Sequence, residues 1–304
     1  MHDILQVGAW RVIGPTRDRV GESPVWDAEA QALWWVDIEG RQLRRFDWGR
    51  QATQSWETPE RTGCIALTRR GTVVAAMESG VFELTPGEGA LAVRRMASIA
   101  HPRPGMRFND GRCDPDGRFW ISTMVMDMSL AQPAGALHVL DENGLSGPRV
   151  EGLITSNGLA FSRDGRRAWL SDSHPTVQQI WTFERTPGTG ELSGRQPWVD
   201  MRPLPGRPDG AAVDSEGCYW ICGNDAGQIH RFDEQGALMQ SLAVPVPKPA
   251  MCCFGGPDLR TLFVTSIQPA VEPGLLGDSG AVLACDAGVA GLPEPRFTRF
   301  QPPG

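Results

Sequence analysis

One short unit recurs six times along this chain and constrains the fold more than any other feature. Each copy opens on a small or polar loop, passes through a strand-like stretch, turns, and returns as an apolar strand. The copies read GESPVWDAEAQALWWVDI (21–38), TGCIALTRRGTVVAAM (62–77), RFNDGRCDPDGRFWISTM (107–124), SNGLAFSRDGRRAWLSDS (156–173), GRPDGAAVDSEGCYWICG (206–223) and MCCFGGPDLRTLFVTS (251–266). A further strand-like run follows each, at 43–46, 80–84, 136–140, 179–183, 228–232 and 280–285. A spacing of roughly 40 to 55 residues, filled with short strands, is the period of propeller blades. The expected fold is an all-β, six-bladed β-propeller, one domain spanning 1–304. The leftover ends, 10–13 and 296–300, are expected to pair within one blade and so close the ring. An array of β-sandwiches is the competing architecture, and it does not demand so regular a repeat.

Composition supports an all-β reading. The 36 glycines and 25 prolines are spread throughout, and no long segment carries apolar residues at helical spacing. A net charge of -7, with no clustered stripe of Lys and Arg, argues against nucleic acid as a partner. No secretory signal is legible at the N-terminus and no apolar run reaches membrane-spanning length, so a cytoplasmic protein with no membrane partner is expected. The seven cysteines are odd in number and include an adjacent pair, which points to reduced thiols, with Cys218 and Cys222 filling core rather than holding a metal. The expected assembly is a monomer or weak homodimer.

Laying the copies over one another identifies a candidate site. Seven residues before each turn stand Glu22, Gly63, Asn109, Asn157, Asp209 and Met251. Equivalent positions in successive blades lie on a ring around the propeller axis, so the four oxygen-bearing members, Glu22, Asn109, Asn157 and Asp209, should converge. Two carboxylates and two amide oxygens at one partly buried spot repel and lose hydration. A divalent cation resolves that conflict. All-oxygen ligation favours hard ions such as Ca²⁺, Mg²⁺ or Mn²⁺, and Fe²⁺ or Zn²⁺ are also compatible. The alternative is that these side chains cap blade loops through backbone hydrogen bonds. Four in a common phase favours the cation.

The segments GESPVWD, RFNDGRCDPDGRFWISTM, SNGLAFSRDG, RPDGAAVDSEGCYW and CFGGPDLRTLFVTS also resemble, in order and over nearly the whole chain, the senescence-marker-protein/gluconolactonase family that includes regucalcin. The resemblance implies a six-bladed propeller with one divalent metal, Ca²⁺ placed first, that hydrolyses lactones of sugar acids. It implies metal ligands at Glu22, Asn157 and Asp209, with Asn109 close by, and substrate hydroxyls contacted by Arg107 and Asn109. Asp127 stands where vertebrate members place a pocket Glu. A cation on the axis polarises an ester carbonyl, and Asp209, a carboxylate at the metal, is the general base both on chemical grounds and by its family equivalent.

The expected function is therefore a metal-dependent lactonase of gluconolactonase, xylonolactonase or arabinonolactonase type, its partner a small sugar lactone. On the same architecture, a phosphotriesterase-like or aryl-lactone hydrolase is disfavoured by the polar Arg107/Asn109 pair. A non-catalytic propeller binding Ca²⁺ or a protein is disfavoured by two axial carboxylates. The insertion at 125–134 beside the expected pocket mouth reads equally as a lid or an ordinary hairpin loop. The Gly277-Asp278-Ser279-Gly280 run lacks the histidine context of a serine protease. The histidines fall in different repeat phases, and only His174 is placed near the pocket. Trp35, Trp120, Trp169 and Trp220 recur at strand positions and are expected to pack between blades.

Overall fold

Runs such as Leu33-Trp34-Trp35-Val36 are apolar on both faces, which a strand tolerates only when both sides of its sheet are covered. The computed structural model, which describes residues 5–298, shows how they are covered. Six four-stranded antiparallel sheets stand around a common axis. Their inner strands are Gly21–Asp27, Thr62–Leu67, Met106–Cys113, Ser156–Phe161, Arg207–Val213 and Pro249–Gly255. Each inner strand touches the next, and the sixth touches the first, so the ring is closed. The six-bladed propeller is borne out.

Packing follows the period of two. Leu33 and Trp35 join one apolar cluster with Phe263 and Val282 of blade 6, while Trp34 and Val36 join another with Ile65 and Val73 of blade 2. Every neighbouring pair of blades shares one such cluster. Trp35, Trp120, Trp169 and Trp220 are fully buried in four of them. All seven cysteines are free and buried, Cys222 within the cluster between blades 5 and 6.

Ring closure differs from expectation at one end. The N-terminal strand Arg11–Ile13 pairs with Val282–Asp286 and completes blade 6. The C-terminal segment does not pair with it; its residues 299 and 300 lie outside the described residues. Over 290–298 it crosses the lower mouth of the channel as a strap. Ser215 donates to Ala290, Gly291 to Leu259, Phe297 to Leu67 and Thr298 to Gly117, at 2.8 to 3.0 Å. Pro293 and Pro295 lack the N–H groups that a ladder strand needs, which accounts for the strap.

Buried acids in the blade turns hold the layers together. Asp214 accepts from the Glu216 and Cys218 amides, both at 2.9 Å, from Trp220 Nε1 at 2.8 Å and from Arg231 Nε at 2.9 Å. Asp114 plays the same part toward Trp120 and Arg185 in blades 3 and 4. Asp214 and Arg231 are both almost wholly buried, so removing one partner strands the other's charge. Asp214→Ala is expected to lose about 3–5 kcal/mol in urea unfolding; a loss below about 1 kcal/mol, typical of an exposed pair, contradicts this role.

Candidate active site on the propeller axis

The faces of each blade are committed to its neighbours, so a regular inner strand has no side chain to spare for the channel. Each inner strand breaks its register once. The shift falls between Glu22 and Val25, Thr62 and Cys64, Phe108 and Gly111, Asn157 and Ala160, Pro208 and Ala211, and Pro249 and Cys252. In each case the inner strand carries one residue more than its partner, a β-bulge that re-aims a side chain. The six positions of the predicted ring sit at or immediately before these bulges.

Their side chains meet. Asn109 Nδ2 donates to Asn157 Oδ1 at 3.2 Å and to the Ser156 carbonyl at 2.7 Å, linking blades 3 and 4. Arg107 donates through one terminal nitrogen to Asn109 Oδ1 at 2.6 Å and to the Phe108 carbonyl at 2.8 Å. Asp209, from blade 5, accepts from Asn224 Nδ2 at 2.5 Å. Glu22, from blade 1, accepts among the described residues a single long bond, 3.3 Å, from its neighbour Ser23. Burial pushes Glu22 well above the usual carboxylate range, and the charges of Asp209 and Asp110 push it further. Burial also raises Asp209 to about 7, against the pull of Asn224 and Arg207.

The two ring members without oxygen have steric reasons for their identity. A Cβ on Gly63 would lie 2.3 Å from the Phe108 carbonyl oxygen and 2.7 Å from that of Asn109, so only glycine lets the strand bearing Asn109 come this close. Met251 packs on Gly210, beside Asp209, where a Cβ would lie 2.3 Å from that of Met251.

Asp127, predicted at the pocket, and Ser279, set aside as a nucleophile, make none of these bonds among the described residues. Asp127 is exposed, and its carboxylate caps the single 3₁₀ turn Met128–Leu130, accepting from the Ser129 amide at 3.1 Å and its hydroxyl at 2.5 Å. The inserted loop leans on blade 4, where His174 Nε2 lies 3.2 Å from the Met128 carbonyl. Ser279 is buried, in the loop between the strands Thr261–Ser266 and Val282–Asp286.

Sequence reasoning missed Asn224 and Arg112. Asn224 ends the second strand of blade 5, directly opposite Arg207, and the same phase search applied to second strands finds it. Arg112 reaches across the axis from blade 3 to the Ala211 carbonyl of blade 5 at 2.7 Å and lies 3.4 Å from Glu294 of the strap. Nothing in the repeat announces it, because Glu294 lies outside every copy. Asp110 braces the cluster, accepting from the Gly111 amide at 2.8 Å and the Leu159 amide at 2.9 Å. A cavity of about 410 Å³, lined by Arg112, Phe161, Phe254 and Leu292 among others, opens at the strap end.

This geometry fits a hard cation. Among the described residues no three His, Cys, Asp or Glu side chains gather into a metal cluster, so any ion here must take amide oxygens together with carboxylates. Glu22 and Asp209 supply two buried carboxyl groups that no cationic side chain among the described residues hydrogen-bonds, and Asn157 Oδ1 keeps a lone pair beyond its bond to Asn109. Asn224 Oδ1 and Ser156 Oγ are buried beside them without a partner among the described residues. Such a set suits Ca²⁺, Mg²⁺ or Mn²⁺ better than ions that favour thiolate or imidazole.

A family model described as SMP-30/Gluconolactonase/LRE-like region matches residues 20–268. The chain belongs to this family. Its relatives include the 6-deoxy-6-sulfogluconolactonase of Pseudomonas putida, 36% identical with 91% of this chain and 94% of that protein covered. The pentonolactonase XacC of Haloferax volcanii is 31% identical, with 92% and 94% covered. Among solved structures, a calcium-binding protein, regucalcin, from Agrobacterium tumefaciens superposes with a TM-score of 0.89 over 96% of this chain and 98% of that one, at 24% identity, and supports the fold. The family is one of sugar-lactone lactonases, and the Pseudomonas putida and Haloferax volcanii relatives carry lactonase names.

The raised Asp209 sets a pH dependence. In protein stripped of divalent ions, a carboxyl whose folded pKa exceeds its unfolded value supports the fold most below about pH 4. That support is lost as pH rises through about 7. Asp209→Asn, neutral throughout, is expected to exceed the stripped wild type in stability at about pH 8 by a few kcal/mol, at about 1.4 kcal/mol per pK unit. The two should converge near pH 4; equal stability at both pH values in chelator-treated urea titrations contradicts a buried, raised Asp209.

Proposed function

We propose that this protein is a divalent-metal-dependent hydrolase that opens the ester of a sugar-acid lactone. The observation that carries the reading is the axial cluster itself, in which Glu22 and Asp209 repel one another across the channel beside the hydrogen-bonded chain Arg107, Asn109, Asn157. Glu22, Asn157 and Asp209 would hold the ion, with Ca²⁺ the first choice. When bound, it supplies Lewis-acid polarisation of the lactone carbonyl.

The chain's own residues perform the remaining tasks. Asp209 takes a proton from the attacking water as the new C–O bond forms, and returns it to the ring oxygen as the acyl C–O bond breaks. Asn224 fixes the Asp209 carboxylate through its 2.5 Å bond, so the base is oriented before the substrate arrives. Among the described residues Arg107 spends one terminal nitrogen on protein partners, which leaves the rest of its fork for hydroxyls of a polyhydroxylated substrate. Asn109, held between Arg107 and Asn157, shares that task. Asp127 would join the pocket by giving up its cap on Ser129. The named relatives act on a sulfonated gluconolactone and on a pentonolactone, which supports the aldonolactone class.

Stripping the protein of divalent ions is expected to abolish acid release from a panel of aldonolactones, and re-adding Ca²⁺ or Mn²⁺ to restore it. Asp209→Ala is expected to lower kcat by about 10²–10⁴-fold. Acid release no faster than spontaneous hydrolysis with every metal tried overturns the lactonase reading, and near-normal turnover in Asp209→Ala overturns the base assignment.

A further inference from the structure

A second tier of side chains lies one step above the axial ring. Two residues before Gly63, Asn109 and Asp209 stand Arg61, Arg107 and Arg207, at the same phase of blades 2, 3 and 5. The strap crosses the channel at the turn end of the inner strands, so these arginines, which precede the ring in each inner strand, stand toward the other end. Arg61 and Arg107 are close enough for their charges to oppose one another.

The compensation of this tier is unequal. On the blade 2 side, Arg61 faces two carboxylates, Glu39 at 2.9 Å and Glu78 at 3.1 Å. On the side of blades 5 and 6 the balance reverses: Arg207 and Lys248 share the single carboxylate of Asp225, at 2.7 and 2.6 Å. Arg207 also bonds to the Ser173 carbonyl of blade 4 at 3.2 Å, which fixes its guanidinium between blades. It sits directly opposite Asn224, the residue that bonds to Asp209, and its charge is felt at Asp209. Lys248 commits one of its three donors to Asp225. Arg207 spends Nε and one terminal nitrogen on Asp225 and the other on Ser173, so this trio keeps one surplus positive charge, half-buried near the candidate base, with its free donors mainly on Lys248.

We infer that Arg207 and Lys248 form an anion subsite, and that the lactone this protein takes carries a second, fixed negative charge on the carbon remote from its ester. The inference rests on the lactonase reading above and adds the substrate's charge and its orientation. The ester lies over the ring, the hydroxyls meet Arg107 and Asn109, and the anionic end points toward blades 5 and 6. A sulfonate, phosphate or carboxylate offers the same charge-assisted acceptors to a guanidinium and an ammonium. Asp225 keeps the two cations together when no anion is present.

The test compares 6-phosphoglucono-lactone with glucono-lactone in the metal-loaded enzyme, with sulfonated and glucaric lactones as further arms to identify the preferred anion. The expected wild-type ratio of kcat/KM, charged over neutral, is on the order of 10-fold or more, and it shrinks as salt rises. Lys248→Met should lower that ratio by about 5- to 10-fold and Asp225→Asn should raise it. Calorimetry on the metal-stripped protein gives an independent readout, in which 6-phosphogluconate binds more tightly than gluconate and loses that advantage in Lys248→Met. If neutral lactones turn over but the ratio is at or below one, or does not move in a folded Lys248→Met, the subsite is wrong and the lactonase reading stands. If no lactone is hydrolysed beyond its spontaneous rate, both fall.

Discussion

A propeller blade has two faces, both owed to its neighbours, and an inner edge that offers the channel only backbone unless the strand is distorted there. The repeated β-bulge is that distortion, and the candidate site depends on it. With one extra residue per inner strand, Glu22, Asn109, Asn157 and Asp209 stand on one ring although they are far apart in sequence. Without the bulge, the same residues would point into the apolar seams between blades. There, a carboxylate would have neither water nor partner. The seams are dry and packed with Trp and branched residues, so the bulge separates the chemistry that stabilises the fold from the chemistry at the axis.

Charge is distributed along the axis in layers. At the strap end Arg112 and Glu294 form a buried pair that also reaches blade 5. At the ring, acid dominates: burial raises Glu22, Asp110 and Asp209 together. At the mouth, arginines from three blades stand above the acids. A cation at the ring and a polyhydroxylated, charged ligand at the mouth would complete this alternation. Such stacking holds several charges in a partly desolvated channel without leaving any of them alone.

Much of this was legible in the sequence because a propeller converts repetition into proximity. The phase count that selected Glu22, Asn109, Asn157 and Asp209 needed no coordinates, since equal positions in equal blades must lie on one ring. The count was silent on why Gly63 and Met251 interrupt the set. Gly63 is a matter of backbone clearance against Phe108 and Asn109, and clearance has no sequence signature. The segment 296–300 was expected to pair with 10–13, whereas its described part bonds to blades 2 and 3, Phe297 to Leu67 and Thr298 to Gly117. Asn224 was missed because attention stayed on inner strands. Asp127 was assigned to the pocket by resemblance, and its carboxylate caps the turn Met128–Leu130, accepting from the Ser129 amide and hydroxyl. Resemblance locates a residue in the chain, whereas its rotamer answers to local hydrogen bonds such as those from Ser129.

The central claim is that bulged inner strands from different blades build one oxygen-lined cation site on the axis. Anomalous scattering from crystals soaked in Mn²⁺ addresses it directly. The account predicts one strong peak on the axis, with oxygens of Glu22, Asn157 and Asp209 all within about 2.6 Å of it. The peak should vanish in Asp209→Asn crystals of unchanged fold. A wild-type map with no axial peak, or with its strongest peak at the strap end of the channel, would contradict it.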